Sequence, residues 1–265
     1  MTIPEHGYPL TAAISPRVQV VQTTDSTNAD VVRHATESPA EWPHLSLLVT
    51  TDQRAGRGRL DRTWTAPAGT ALAVSTLVDI TRIPNASRGW LPLLAGAAMT
   101  RAIRAQLAGT AHTAELKWPN DVLVDGFKIC GILAEVLPGD ADAVVVGTGV
   151  NTTMQPVDLP VDTATSFAAL GLECDDDRLL ADYLTALDEQ LVALADALGN
   201  AAAAGIVGEI EALCATLGRD VVVALPDGSQ LTGHAQRLDV DGRLVVVDAL
   251  GVEAAVSAGD VVHVR

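Results

Sequence analysis

Aromatic side chains are nearly absent: four Trp, two Tyr and two Phe, 3% of 265 residues. The core must come from Val, Leu, Ile and Ala, and a hydrophobic fraction of 48% supplies them. Against 19% charged residues, that fraction excludes wholesale disorder. Lysine is scarcer still. The 17 basic residues comprise 15 Arg and only Lys117 and Lys128, against 33 acids, for a net charge of −16. So acidic a chain is unsuited to broad binding of nucleic acid or anionic membrane, because phosphate contacts need a basic surface. No apolar run approaches the roughly 18 residues of a membrane helix. The opening ten residues lack the basic and then apolar pattern of a signal peptide. Cys130, Cys174 and Cys214 are odd in number and form neither C-x-x-C nor zinc spacing, so reduced thiols and a cytoplasmic setting are expected.

What is present reads as α+β: a mixed, largely antiparallel sheet with helices, followed by a small β domain. Arg17–Val21, Leu45–Thr51, Ala71–Val78, Lys128–Leu137 and Ala143–Val150 carry strand patterns, and Leu116–Trp118 and Val122–Val124 read as short strand pieces. Asp25 or Ser26 is placed to cap a helix ending near Ser38-Pro39. Helical spacing marks Arg88–Leu107, Leu179–Leu198 and Ile206–Leu217, and Asp125-Gly126 marks a hairpin turn. After Gly218, short Val-rich runs alternate with Pro226-Asp227-Gly228, Asp241-Gly242 and Gly251, which suggests a small barrel. The expected domains are residues 1–217 and 218–265.

Charge is unevenly placed. Asp52–Arg62 holds four Arg and two Asp, whereas Glu135–Asp188 holds eleven acids and one base, Arg178. A charge run is ordinarily a solvated face. A Gly56-Arg57-Gly58-Arg59 island in an acidic chain fits better as an anion pocket, with glycines admitting backbone N–H groups and guanidinium forks binding phosphate or carboxylate. No helix follows it and no Gly-Lys-Ser/Thr is present, so it is neither a Rossmann nor a Walker loop. Trp64, just beyond, either packs the loop or stacks on a base.

In Lys117-Trp118-Pro119-Asn120-Asp121, proline fixes a turn that presents Asn120 and Asp121 together. Asp121 either forms an ion pair with a lysine or holds Mg²⁺ while Lys117 meets phosphate. Two lysines eleven positions apart are either an accident of composition or sites that need an amine. Strict alternation puts Lys128 and Cys130 on one face of their strand and Ile129 and Gly131 on the other. Gly131 inside a strand signals close approach of a ligand or backbone.

The ordered set Ser26-Thr27-Asn28, Gln53-x-x-Gly56-Arg57-Gly58-Arg59, Trp64, Lys117-Trp118-Pro119-Asn120-Asp121-Val122, Lys128-x-x-Gly131-Ile132-Leu133 and Gly147-x-Gly149-x-Asn151 resembles the biotin protein ligases. Each motif alone is weak; their order over about residues 18–170 is specific. The resemblance implies a class II synthetase-like catalytic domain with a C-terminal SH3-like β-barrel. It also implies an ATP-dependent reaction through biotinyl-5′-AMP, with transfer to a lysine of the biotin carboxyl carrier domain of acyl-CoA carboxylases. Biotin and ATP are the implied substrates, with Mg²⁺, in a cytoplasmic monomer or weak homodimer. The first motif starts at Thr23, leaving no room before it for a helix-turn-helix domain, so neither DNA nor membrane is an expected partner. The alternatives are a lipoate-type acyl-protein ligase and a biotin-responsive regulator.

By the same resemblance, Ser26, Thr27, Asn28, Gln53, Gly56, Gly58 and Gly131 would line the biotin site. Arg57, Arg59 and Lys128 would be catalytic, closing over biotin's carboxylate and the α-phosphate. Arg59, Arg62, Trp64, Lys117, Asn120, Lys128 and Asn151 would meet ATP, and Asp121 a Mg²⁺ ion. One departure stands out: Asp61 replaces the third glycine of the family's Gly-Arg-Gly-Arg-x-Gly-Arg loop.

Overall fold

The computed structural model describes residues 7–59, 62–225, 227–257 and 259–264. Asp61, the position at which the loop departs from the family pattern, lies outside them, as do the first six residues of the opening segment.

The expected strands form a seven-stranded sheet. In chain order they are β1 (Val18–Val20), β2 (Leu47–Thr50), β5 (Ala71–Asp79), β6 (Ala114–Lys117), β7 (Asp121–Val124), β8 (Phe127–Leu137) and β9 (Asp140–Asn151). Between β2 and β5 the Arg/Gly segment makes a separate two-stranded ribbon, β3 (Gly56–Arg57) with β4 (Thr63–Trp64). The sheet order is β1-β2-β5-β9-β8-β7-β6; β1 and β2 are parallel and every other neighbouring pair is antiparallel. The β7–β8 turn uses Asp125 and Gly126 at φ 51° and 85°, the left-handed pair that a two-residue hairpin demands.

Period-two alternation divides the sheet into two faces. Leu47, Val49, Leu72, Val74, Val144, Val146 and Val150 face the main core, against α3 (Leu91–Gln106) and α4 (Asp176–Asp196). Leu48, Leu77 and Val145 face the other way, against Val31 and Ala35 of α2 (Thr27–Glu37). The helix expected over Arg88–Leu107 is split: Asn85–Trp90 is a 3₁₀ turn, and the α-helix begins at Leu91 with Pro92 in its first turn. A short α1 (Pro9–Ala12) and α5 (Ile206–Leu213) complete the helical layer.

Residues beyond 219 form a second antiparallel sheet. Its strands are β10 (Asp220–Ala224), β11 (Gln230–Leu238), β12 (Leu244–Val247), β13 (Glu253–Val256) and β14 (Asp260–His263), ordered β13-β12-β11-β10-β14. It does not sit apart. Val221, Val223, Ala235 and Leu244 belong to the same buried cluster as Trp90 and Trp118. The two indoles also donate across the junction, Trp90 Nε1 to the Val240 carbonyl (2.9 Å) and Trp118 Nε1 to that of Gly242 (3.2 Å). No helix among the described residues is long and apolar enough to cross a membrane.

Candidate active site

The site is a trough left by missing side chains. On the α2 face, three adjacent strands offer small residues in register: Ser75 of β5 opposite Gly147 of β9, and Gly149 of β9 opposite Gly131 of β8. Neighbours fill the space. A Cβ on Gly147 would strike the Asn28 amide, and one on Gly149 would lie 2.7 Å from the Trp64 ring. The alternating glycines of Gly147-x-Gly149 are therefore a steric requirement, and their apolar strand already displayed them.

At one end, the N-terminus of α2 supplies polar groups. Ser26 caps it, accepting from Ala29 N at 3.4 Å. Gln53 Oε1 accepts from Thr27 N (2.8 Å) and lies 3.0 Å from Thr27 Oγ1. Ser75 Oγ stands 2.7 Å from Thr27 Oγ1 and 2.5 Å from Asn28 Oδ1. Asn28 Nδ2 donates to Glu135 Oε2 at 2.6 Å.

The other end is cationic. Lys128 Nζ pairs with Asp121 Oδ1 at 2.6 Å. Its position corrects the alternation reading. The β7–β8 pairing runs Asp121↔Gly131, Val122↔Cys130, then Leu123↔Lys128, so Ile129 is an extra residue in a β-bulge. The bulge turns Lys128 onto the Gly131 face, where a Cβ on Gly131 would lie 3.1 Å from Nζ. Cys130 instead enters the main core, where burial pushes its thiol up to about 12.

The Arg/Gly segment is a hairpin with anchors. Arg59 Nη1 donates to Asn120 Oδ1 (2.9 Å), while Asn120 Nδ2 donates to the Ile132 carbonyl (2.5 Å). Arg62 reaches Asp260 at 2.5 Å, and Arg57 reaches Glu135 at 3.3 Å. Burial lowers the pKa of Arg59, with Asp121 and Asp260 opposing that shift. The Asp260 bond raises that of Arg62. Burial pushes Asp260 up, but Arg62, Lys117 and Arg59 outweigh it and hold the carboxyl below its usual range.

One cavity thus gathers Ser26, Thr27, Asn28, Gln53, Arg57, Gly58, Arg59, Arg62, Trp64, Asn120, Asp121, Lys128 and Gly131. Three expected residues lie off its wall. Gly56 is packed under Gln53 and Trp64. Asn151 is buried at the end of β9, its amide donating to the Thr165 carbonyl at 2.8 Å. Lys117 lies toward the second sheet, where burial, Lys117 and Arg219 push His263 down to about 4. Sequence reasoning did not single out Ser75, Glu135, Thr148, Gly259 and Asp260. Glu135 had a signal, an acid two and four positions along from Leu133 and Gly131 on a mostly apolar strand. Asp260 had none, because 198 residues separate it from Arg62.

For Mg²⁺ the chain offers little. The visible partner of Asp121 is Lys128, and among the described residues no three His, Cys, Asp or Glu side chains converge. The residues present do not fit a resident metal cage.

The biotin/lipoate A/B protein ligase family model matches residues 20–151. The biotin–[acetyl-CoA-carboxylase] ligase of Mycobacterium tuberculosis is 38% identical over 250 residues, 94% of this chain and 90% of that one. The Paracoccus denitrificans protein of the same name is 38% identical over 137 residues, half of this chain (50%) and 53% of that one. The solved biotin protein ligase of Aquifex aeolicus, in complex with biotin and ATP, superposes with a TM-score of 0.73 at 25% identity, covering 94% of this chain and 99% of that chain. Identity sustained along nearly the whole of both chains, over the same fold and the same ordered motifs, means that the chain belongs to the biotin protein ligases of the biotin/lipoate A/B protein ligase family.

Proposed function

We propose that this protein is an ATP-dependent ligase that activates biotin as biotinyl-5′-AMP and transfers the biotinyl group to a lysine of a biotin carboxyl carrier domain. The observation that carries the reading is the polarity of one cavity: neutral hydrogen-bonding groups around Thr27 at one end, and Arg57, Arg59 and Lys128 at the other. A ligand with an uncharged polar ring and a carboxylate tail, laid beside a nucleotide phosphate, matches that order.

A free carboxylate is a poor acyl donor. In the first step a biotin carboxylate oxygen attacks the α-phosphorus of ATP, the bond to the β-phosphate oxygen breaks, and pyrophosphate leaves with the electron pair. In the second, the deprotonated lysine amine of the carrier attacks the acyl carbon, the bond to AMP breaks, and the amine's remaining extra proton goes to solvent. Both steps concentrate negative charge where Lys128, Arg57 and Arg59 would stand, so positioning and charge neutralisation are the protein's task.

Ser26, Thr27, Asn28 and Gln53 would hold the ring end, with Gly131 leaving room. Arg62 and Lys117 would meet the triphosphate, and Trp64, Asn120 and Asn151 the nucleotide. In this reading residues 1–217 bind both substrates, and residues 218–265 close the nucleotide side through Gly259 and Asp260. The ATP requirement and three free thiols suit a cytoplasmic setting. The acceptor would be the carrier domain of an acyl-CoA carboxylase. The test is pyrophosphate release on adding ATP with biotin or with lipoate, followed by transfer to a purified carrier domain. Biotin-dependent release and labelling are expected; release with lipoate alone would replace the reading with the lipoate one.

A further inference from the structure

In a chain of 33 acids and 17 bases, an unpaired cation is the exception. Among the described residues, every Arg and Lys side chain but two donates to a carboxylate, an amide or a backbone carbonyl. The two are Lys117, at the end of β6, and Arg219, just before β10. Both act on the half-buried ring of His263 in β14. The acids around them are engaged elsewhere: Asp121 with Lys128, Asp260 with Arg62, and Asp220 with His234 at 3.0 Å. Glu115, two positions before Lys117 on β6, does not pair with it.

The His263 ring is fixed from one side. Thr216 is fully buried, and its Oγ1 accepts from Trp118 N at 3.1 Å. Its one hydrogen is left for His263 Nε2, 3.2 Å away. Nε2 therefore carries the lone pair and Nδ1 the proton. Burial, then Lys117 and Arg219, keep the ring neutral by holding it down at about 4. Two cations and the Nδ1–H, all without an acceptor among the described residues, surround one spot. The three oxygens of a phosphate group suit three such donors better than the two of a carboxylate.

We propose that Lys117, Arg219 and His263 form a phosphate subsite at the junction of the two sheets, which takes the pyrophosphate end of ATP and holds it after cleavage. The inference rests on the proposed reaction and deepens it. Arg219 and His263 lie outside every motif of the ordered set, on the part of the chain that forms the second sheet. When the anion arrives, its charge offsets that of Lys117 and Arg219, and His263 takes a proton from solvent. When pyrophosphate departs, the ring returns that proton.

Two readouts on the full-length protein test it. The first follows the His263 Cε1–H signal by proton NMR from pH 8 to about pH 5, assigned with His263→Gln. It is recorded with sodium pyrophosphate, with inorganic phosphate and with neither, and no biotin is present. The free ring is expected to stay neutral throughout. Pyrophosphate is expected to raise its titration by at least one pH unit, and inorganic phosphate by less. The second readout is the reverse reaction, in which pyrophosphate and biotinyl-5′-AMP return ATP and biotin. Arg219→Ala removes an exposed side chain, so folding is spared. It is expected to raise the half-saturating pyrophosphate concentration at least fivefold, while biotin affinity by calorimetry stays within twofold of the parent. A His263 signal indifferent to pyrophosphate, or an Arg219→Ala protein with the parent's half-saturation, overturns the proposal. Inorganic phosphate that shifts His263 as far as pyrophosphate overturns the assignment to ATP and leaves a site for free phosphate. Failure of the parent to form biotinyl-5′-AMP would instead overturn the functional reading, and the His263 signal still decides the subsite.

Discussion

At the scale of single residues, the decisive feature is where a bulge aims one lysine. Lys128→Arg keeps the charge but exchanges a compact ammonium, held by Asp121 over Gly131, for a planar fork. Adenylate formation is expected to fall at least tenfold, about 1.4 kcal/mol in the barrier; single-turnover assays check this. Gly131→Ala tests the same point from the other side. Its Cβ would press on Nζ at 3.1 Å and Cε at 3.2 Å, the mobile end of a side chain, so folding is spared while the ammonium shifts. We expect roughly tenfold slower adenylation from that misplacement, with a melting temperature close to the parent's. The chemistry of these residues was legible in the sequence as types and order. Their facing was not: strict alternation puts Lys128 with Cys130, and only the extra residue Ile129 reverses it. A bulge is a property of two paired strands, and one strand's pattern does not contain it.

At the scale of elements, local chemistry fixed most boundaries. Asp125-Gly126, the Ser26 cap and the apolar periods of β5, β9 and α3 each act within a few residues, so they could be read directly. The hairpin over the site could not. Its glycines and arginines suggest a loose loop, whereas its anchors, Asn120, Glu135 and Asp260, come from distant parts of the chain. Helix α4 offers two tests away from the site. Asp175 caps it, with Oδ1 accepting from Arg178 N at 3.1 Å, so Asp175→Ala is expected to cost about 1 kcal/mol in urea unfolding. The next residue, Asp176, is 4% exposed, and burial raises its carboxyl to about 6. The folded state therefore holds its proton more tightly than the unfolded chain, whose value is about 3.9. That stabilisation is complete below pH ~4 and is lost as pH rises through about 6. Asp176→Asn should stabilise the protein by the order of 3 kcal/mol at pH 7.5 and by only about 0.5 kcal/mol at pH 4. Urea titrations at both values decide it.

At the scale of the whole molecule, the small second sheet turns at Gly228, Gly242 and Gly251 as its sequence signature suggests, and it carries five strands, one more than those three turns separate; Pro226 lies outside the described residues. That so small a set of strands must dock on the rest of the chain follows from how little core it buries alone; which residues meet it does not, because Trp90 and Trp118 signal burial without naming what covers them. The shared apolar cluster and the two indole bonds predict that both sheets unfold together. Calorimetry should show one transition; two separated transitions would mean that the C-terminal sheet is an independent module. The junction also carries function in this account, since Asp260 and Gly259 complete the wall that holds Arg59 and Arg62. All of these readings converge on one cavity that binds a carboxylate beside a nucleotide and joins them. The most direct measurement is therefore pyrophosphate release by the full-length protein given ATP with biotin, and in parallel ATP with lipoate. The account predicts one equivalent released with biotin, accompanied by enzyme-held biotinyl-5′-AMP, and none with lipoate. No biotin-dependent release, or release with lipoate in its place, would contradict it.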